Sequence, residues 1–155
     1  MKKEIKLFVY DFDGVMTDNK VYIDYKGNEM VQVNRADGLA ISEIQKLGIQ
    51  QIILSTEANP VVAQRASKLK IPFFQGISNK KDILLDYCKK NDIDIKQVAY
   101  IGNDINDIDA MAIAGFSFCP NDSHESIKEI ADHILPRNGG DGVIRELFDI
   151  IKSDD

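Results

Sequence analysis

Cysteine is scarce in this chain. Of 155 residues only Cys88 and Cys119 are cysteines, one in a helical and one in a strand-like setting, with no metal-type spacing. Both are expected as reduced core or near-core residues. No apolar run approaches the length of a membrane span, and Met1-Lys2-Lys3-Glu4 leads straight into a strand with no signal peptide. Those absences point to the cytoplasm and away from membranes. Positive charge is not in excess either: 19 Lys and Arg against 25 Asp and Glu leave a net charge of −6. A phosphate-backbone binder needs a basic face, so nucleic acid is set aside as a partner. A small phosphorylated substrate remains open, because a metal and one or two cationic side chains can reverse the potential inside a cleft. Repeats and low-complexity tracts are absent, and the acidic end Ser153-Asp154-Asp155 is expected to fray. The length suits one domain over residues 1–155.

What is present is organised around one stretch. Ile5 to Tyr10 is a short apolar run rich in β-formers that stops at Asp11-Phe12-Asp13-Gly14. It reads as a buried strand, and the carboxyl end of such a strand is where an open α/β sheet puts its ligands. The i, i+2 spacing can turn Asp11 and Asp13 toward the same space. Two carboxylates that close repel unless one is protonated or a cation lies between them, and Mg²⁺, which prefers oxygen ligands, is the natural neutraliser. A strand followed by a solvated Asx-type turn is the plainer alternative.

Further along, β-rich runs at 20–25 and 29–34 flank Lys26-Gly27-Asn28 and predict a hairpin projecting from the sheet. Leu39, Ile41, Ile44 and Leu47 give a helical stripe from Asp37-Gly38 to Gly48. Strands are expected at 51–54, 71–74, 98–101, 116–119 and 133–135. Helices are expected from Asn59-Pro60 to about Leu69, from Lys80 through Cys88, in a short Ala/Met segment after Asp107, from about 123 to 131, and from Val143. Strands alternate with helices throughout, which predicts a three-layer α/β/α sandwich around a mostly parallel sheet.

The polar residues recur at one end of these strands. The first strand delivers Asp11 and Asp13, the strand at Ile52 ends in Ser55, the strand at Ala99 ends in Asp104 and Asp107, and Lys80 opens the helix between them. Parallel strands put all these ends on one rim. A carboxylate nucleophile, a second carboxylate two residues on, a metal-binding acid, a hydroxyl and a lysine are the parts for phosphoryl transfer through an aspartyl-phosphate. Taken singly, Ser55 equally suits a turn cap, Lys80 a solvated first-turn residue, and Asp104 and Asp107 a helix N-terminus. Cys119, His124 and His133 receive no role.

Asp11-Phe12-Asp13-Gly14-Val15-Met16-Thr17-Asp18, Leu54-Ser55-Thr56-Glu57, Ser78-Asn79-Lys80 and Gly102-Asn103-Asp104-Ile105-Asn106-Asp107 together resemble, in order, the four motifs of the haloacid dehalogenase (HAD) superfamily of phosphohydrolases. The resemblance implies a Rossmann-like HAD fold, Asp11 as nucleophile and Asp13 as general acid and then base. It implies Mg²⁺ held by Asp11, the Asp13 backbone carbonyl and Asp104, with Asp107 as a supporting acid. Asn103 stands where relatives often carry Asp. Neither gap between motifs has room for a cap domain; only the hairpin 20–34 is inserted. That is similar to the capless branch of 3-deoxy-D-manno-octulosonate (KDO) 8-phosphate phosphatases and 9-phosphate phosphatases of nine-carbon sialic-type sugars. Segments 35–38, 74–80 and 139–146 look like that branch's signatures, which carries Asp37 and Gly76 into the expected substrate site. The resemblance further implies a homotetramer whose hairpins meet at its centre and whose neighbouring subunits help close each site.

For the substrate, Glu57 is expected on the rim beside the phosphate site. Arg65 and Lys68, one helical turn apart, can share a face. A carboxylate beside a cationic pair suits a polyhydroxylated sugar acid. Glu57 and Lys68 look like the nine-carbon subgroup, so a nonulosonate 9-phosphate is the expected substrate, with KDO-8-phosphate as the alternative. Two rivals belong to other classes. One is a phosphoacceptor signalling domain, against which the D-x-D-G loop speaks. The other is an inactive oligomerisation module like those fused to sialic acid cytidylyltransferases, against which the intact motif residues speak.

Overall fold

Leu7, Phe8, Val9 and Tyr10 form β1 (Leu7–Tyr10), and all four are buried. Their alternation feeds two separate cores. In the computed structural model, which describes residues 4–153, Phe8 and Tyr10 pack on one side of the sheet and Leu7 and Val9 on the other. A strand buried on both faces cannot alternate apolar with polar, which is why this run reads as continuously hydrophobic.

The remaining sheet strands are β4 (Gln50–Leu54), β5 (Phe73–Phe74), β6 (Val98–Ile101), β7 (Phe116–Cys119) and β8 (His133–Ile134). They pair in parallel in the order β5-β4-β1-β6-β7-β8. Strand order reverses at β1, with β4 on one side and β6 on the other. This is the switch point at which open α/β sheets bind ligands.

Three helices cover each face. α1 (Arg35–Lys46), α2 (Val61–Leu69) and α6 (Val143–Ser153) bury Ile41, Ile44, Val62, Ala66, Ile144 and Leu147 against Phe8 and Tyr10. α3 (Lys80–Lys90), α4 (Ile108–Met111) and α5 (Glu125–Lys128) bury Leu84, Cys88, Met111 and Ile127 against Leu7 and Val9. The three-layer sandwich expected from the alternation of elements is the observed fold. Both cysteines are free and buried, and burial pushes the Cys88 thiol up to about 11. No helix among the described residues is long and apolar enough to cross a membrane.

Several boundaries differ from expectation. The hairpin strands shrink to β2 (Tyr22–Ile23) and β3 (Glu29–Met30), because Asp24 closes a tight turn by accepting from the Lys26 and Asn28 amides. Beyond Met30, Val31 and Val33 turn inward and pack on the core instead of extending the ladder. α1 starts at Arg35, where the Asn34 side chain accepts from the Ala36 amide, and Leu39 and Leu47 of its expected stripe face outward. α5 stops at Lys128, and the Asp132 carboxylate then ties the chain to the amide and hydroxyl of Ser117 on β7. Ser153, expected to fray, is the last residue of α6; Asp154 and Asp155 lie outside the described residues.

Candidate active site

Asp11 directly follows β1, and its amide donates to Ile101 O of β6, so the strand pairing itself sets its height. The loop after it is self-tied. Phe12 O accepts from the Met16 and Thr17 amides, and Thr17 Oγ1 accepts from the Gly14 and Asn19 amides. Gly14 takes φ +82°, and a side chain there would collide with Asn103. Gly139 closes the loop from behind: a methyl on it would run into Gly14 O and Thr17 O, while the Gly140 amide donates to Val15 O.

Asp11 is buried. Its Oδ1 accepts from the Phe12 amide at 2.7 Å and meets the Lys80 ammonium at 2.9 Å. Lys80, the first residue of α3, is buried as well and reaches Asp107 Oδ1 at 2.7 Å. The same Asp107 oxygen accepts from the Tyr100 hydroxyl at 2.8 Å, and Asp107 Oδ2 accepts from the Asn103 amide N–H at 2.9 Å. Burial and then Asp107 raise Asp11 well above the usual carboxylate range, against the pull of Lys80. Burial works against the Lys80 charge, but Asp11 and Asp107 outweigh it and hold the ammonium above its ordinary value. Tyr100, raised by burial and by Asp107, stays a donor.

Asp13 is half-buried beyond Asp11. Burial, Glu57 and Glu29 all raise its pKa, and Lys80 only partly opposes them. That environment favours a carboxyl able to carry a proton.

Asn103 completes the centre. One terminal atom of its amide lies 3.0 Å from Asp11 Oδ2 and 2.8 Å from the Asp13 carbonyl oxygen. Among the described residues no group of three His, Cys, Asp or Glu side chains is placed to hold a metal. The oxygen donors here are instead one carboxylate, one backbone carbonyl and one amide. With Oδ1 turned inward, all three would present oxygen, the donor type that a hard divalent cation prefers. The residues fit a hard divalent cation.

The expected site residues are therefore placed unequally. Asp11, Asp13 and Asp104 line one cavity of about 380 Å³ with Asn19, Thr56 and Asn103. Asp104 turns its carboxylate to the Ile105 amide and caps the following turn, and Asn103 holds the position facing Asp11 and Asp13. Asp107 lies behind the cavity, fully buried, with both oxygens engaged by Lys80, Tyr100 and backbone amides. Ser55 is buried at the end of β4, its Oγ accepting from the Glu57 amide. Glu57, next to the cavity-lining Thr56, uses Oε1 to accept from the Ala58 and Asn59 amides, and Gly76 N–H donates to Glu57 O; neither of the two lines the cavity itself.

Arg65 and Lys68 do share a face, but it lines a separate groove of about 630 Å³ between α2 and the hairpin, beside Phe12, Glu29 and Asn59. Arg65 also donates to Asn34 O. Asp37 is buried away from the cavity, its Oδ1 accepting from the Ile144 and Arg145 amides at the start of α6. Sequence reasoning missed Tyr100, which resembles any core aromatic. It passed over Asn103 for the charged neighbour, although Asn103 stands one residue nearer the strand end.

Acids gathered this closely around one buried ammonium, at the switch point of a parallel sheet, are the parts for phosphoryl transfer in an α/β protein. Comparison with known proteins makes the class specific. A family model for haloacid dehalogenase-like hydrolases matches residues 17–147, and the chain belongs to that family. It is 35% identical over 150 residues to the 3-deoxy-D-manno-octulosonate 8-phosphate phosphatase of Haemophilus influenzae, covering 96% of this chain and 83% of the relative. The corresponding phosphatase of Moraxella catarrhalis, solved with magnesium, phosphate and KDO, superposes with a TM-score of 0.94 at 31% identity, covering 98% of this chain and 88% of the other. A HAD-family protein from Streptomyces avermitilis superposes with a TM-score of 0.93 at 43% identity, covering 95% and 84%.

Proposed function

We propose that this protein is a Mg²⁺-dependent phosphatase that hydrolyses a phosphorylated 2-keto-3-deoxy sugar acid through an aspartyl-phosphate on Asp11. The observation that carries the reading is the two-sided setting of Asp11. One of its oxygens meets the Lys80 ammonium, and the other faces Asn103 beside the Asp13 carbonyl. A cation held by Asp11, the Asp13 carbonyl and Asn103 would offset the charge of the phosphoryl oxygens. The Asp11 carboxylate attacks phosphorus, and the sugar alkoxide leaves with the Asp13 proton. Asp13 then takes a proton from water as that water attacks the aspartyl-phosphate, releasing inorganic phosphate and restoring Asp11. Lys80 holds positive charge against the phosphoryl group, and the Ser55 hydroxyl donates a hydrogen bond to a phosphoryl oxygen.

The similarity to KDO-8-phosphate phosphatases supports the eight-carbon acid as substrate. Glu57 favours a second reading. Its carboxylate stands near enough to raise Asp13 and suits the hydroxyls of a nonulosonate 9-phosphate. The sugar-acid carboxylate was expected on Arg65 and Lys68, but these line the groove under the hairpin, which contains neither Glu57 nor Asp13. The chain works as one domain without a cap, and its exposed hairpin supports a homotetramer around residues 20–34 in which a partner subunit covers each site. Phosphate release from a panel of sugar phosphates tests the function and separates it from an inactive module. KDO-8-phosphate should be turned over with Mg²⁺, and a kcat/KM ratio above one for the nine-carbon acid, narrowed by Glu57→Ala, would install the second reading. No turnover of any phosphate ester would refute both.

A further inference from the structure

The Asn103 amide carries an inference that rests on the phosphatase reading and goes beyond it. The atom facing Asp11 Oδ2 and Asp13 O has only acceptors around it, and the opposite end of the amide faces only donors. One orientation satisfies every neighbour: Nδ2 toward Asp11 and Asp13, Oδ1 toward the donors. A cation requires the reverse, because it needs an oxygen where that orientation places an N–H. We infer that the Asn103 amide is a two-position element, donating to Asp11 Oδ2 and Asp13 O when no cation is bound and turning over to present Oδ1 to one.

A carboxylate could not fill both roles. An aspartate oxygen 3.0 Å from Asp11 Oδ2 would repel it unless a proton or a cation lay between them. Asparagine removes that repulsion and supplies two hydrogen bonds instead, so the cation-free fold is a settled state rather than a strained one. Two effects then weaken cation binding in concert. The site offers one negative charge fewer to attract the ion, and binding must break the two hydrogen bonds that hold the amide in its other position. Occupancy of this site thus follows the free Mg²⁺ concentration more closely than a site with two carboxylates would.

The test is Mg²⁺ binding by titration calorimetry, with melting curves in chelator and in Mg²⁺, on the wild type, Asn103→Asp and Asn103→Leu. Asn103→Asp should bind Mg²⁺ at least tenfold more tightly, melt below the wild type in chelator and gain more on adding Mg²⁺. Asn103→Leu, similar in size but without either polar end, should bind at least tenfold more weakly than the wild type. Equal or weaker affinity in Asn103→Asp, or undiminished affinity in Asn103→Leu, would overturn the two-position role and leave the phosphatase reading standing. If Asn103→Asp does not fold in either condition, the Leu variant alone decides. Absence of Mg²⁺ binding in the wild type would overturn both.

Discussion

Lys80 and Asp107 form a 2.7 Å ion pair in which neither side chain reaches solvent. Asp107 makes no contact with the cavity, yet it fixes the ammonium that touches Asp11 and anchors Tyr100 and the Asn103 backbone besides. Removing it in Asp107→Ala leaves a buried charge and a buried hydroxyl without their acceptor. Breaking a buried pair in this way costs about 3–5 kcal/mol, which urea denaturation will register, and turnover should fall with it. A loss below about 1 kcal/mol would mean that Asp11 alone holds Lys80.

Asp11→Asn should separate activity from stability. An amide cannot accept the phosphoryl group, so turnover disappears. Burial and Asp107 both disfavour the Asp11 charge, so removing it should leave the unfolding midpoint unchanged or raise it. Retained turnover would sink the aspartyl-phosphate mechanism, and a large drop in midpoint would show that the Lys80 contact outweighs the cost of burying the charge.

Asp37 gives the clearest dependence on pH. Burial lifts its carboxyl from 3.8 to about 6; the Arg145 and Ile144 amides and Arg65 oppose the shift, and Asp141 adds to it. One of its oxygens has no hydrogen-bond partner among the described residues. Because the folded value lies above the unfolded one, the stability from this group is complete below pH 3.8 and is lost as pH rises through about 6. The shift corresponds to about 3 kcal/mol. In Asp37→Asn the side-chain oxygen still accepts from α6 and no charge is buried. The difference between wild-type and variant stability should therefore change by that amount from roughly pH 4 to pH 7. Parallel stability curves would show that Asp37 is ionised throughout.

Assembly is testable at the hairpin. Tyr25 is 92% exposed and Tyr22 72%, with Ile23 and Met30 beside them, an apolar surface that a lone subunit would leave in water. Sedimentation should show a tetramer for the wild type and smaller species for Ile23→Asp with Tyr25→Ser. A wild-type monomer with full activity would remove both the assembly and the covered site.

Much of this was legible because strand ends are a local signal. Asp11, Ser55 and Lys80 could be placed by asking which polar residue each buried run delivers, and the sheet puts them on one rim. The Asn103 position was misread because charge was weighed above distance from the strand end; the amide acquires its meaning only when Asp11 and the Asp13 carbonyl come within 3.0 Å. Asp37 and the Arg65–Lys68 pair could not be separated from the site by sequence, since helix phase says which residues share a face but not what that face meets. The Asp37 partners lie 107 and 108 residues away. Tyr100 carried no signal, because a buried hydroxyl and a buried phenyl ring look the same in an apolar run.

The clasp between Gly139–Gly140 and the Gly14–Asp18 loop also bears on how the protein is made. The loop that carries Asp13 is synthesised before the backbone that braces it, which lies more than 120 positions later. A nascent chain can form β1 and its neighbouring strands early, while the loop stays unbraced until residue 140 has emerged. Ordering of the loop is thus tied to synthesis of the same stretch that leads into α6, whose Ile144 and Leu147 complete the core against Phe8 and Tyr10, so loop and core close together.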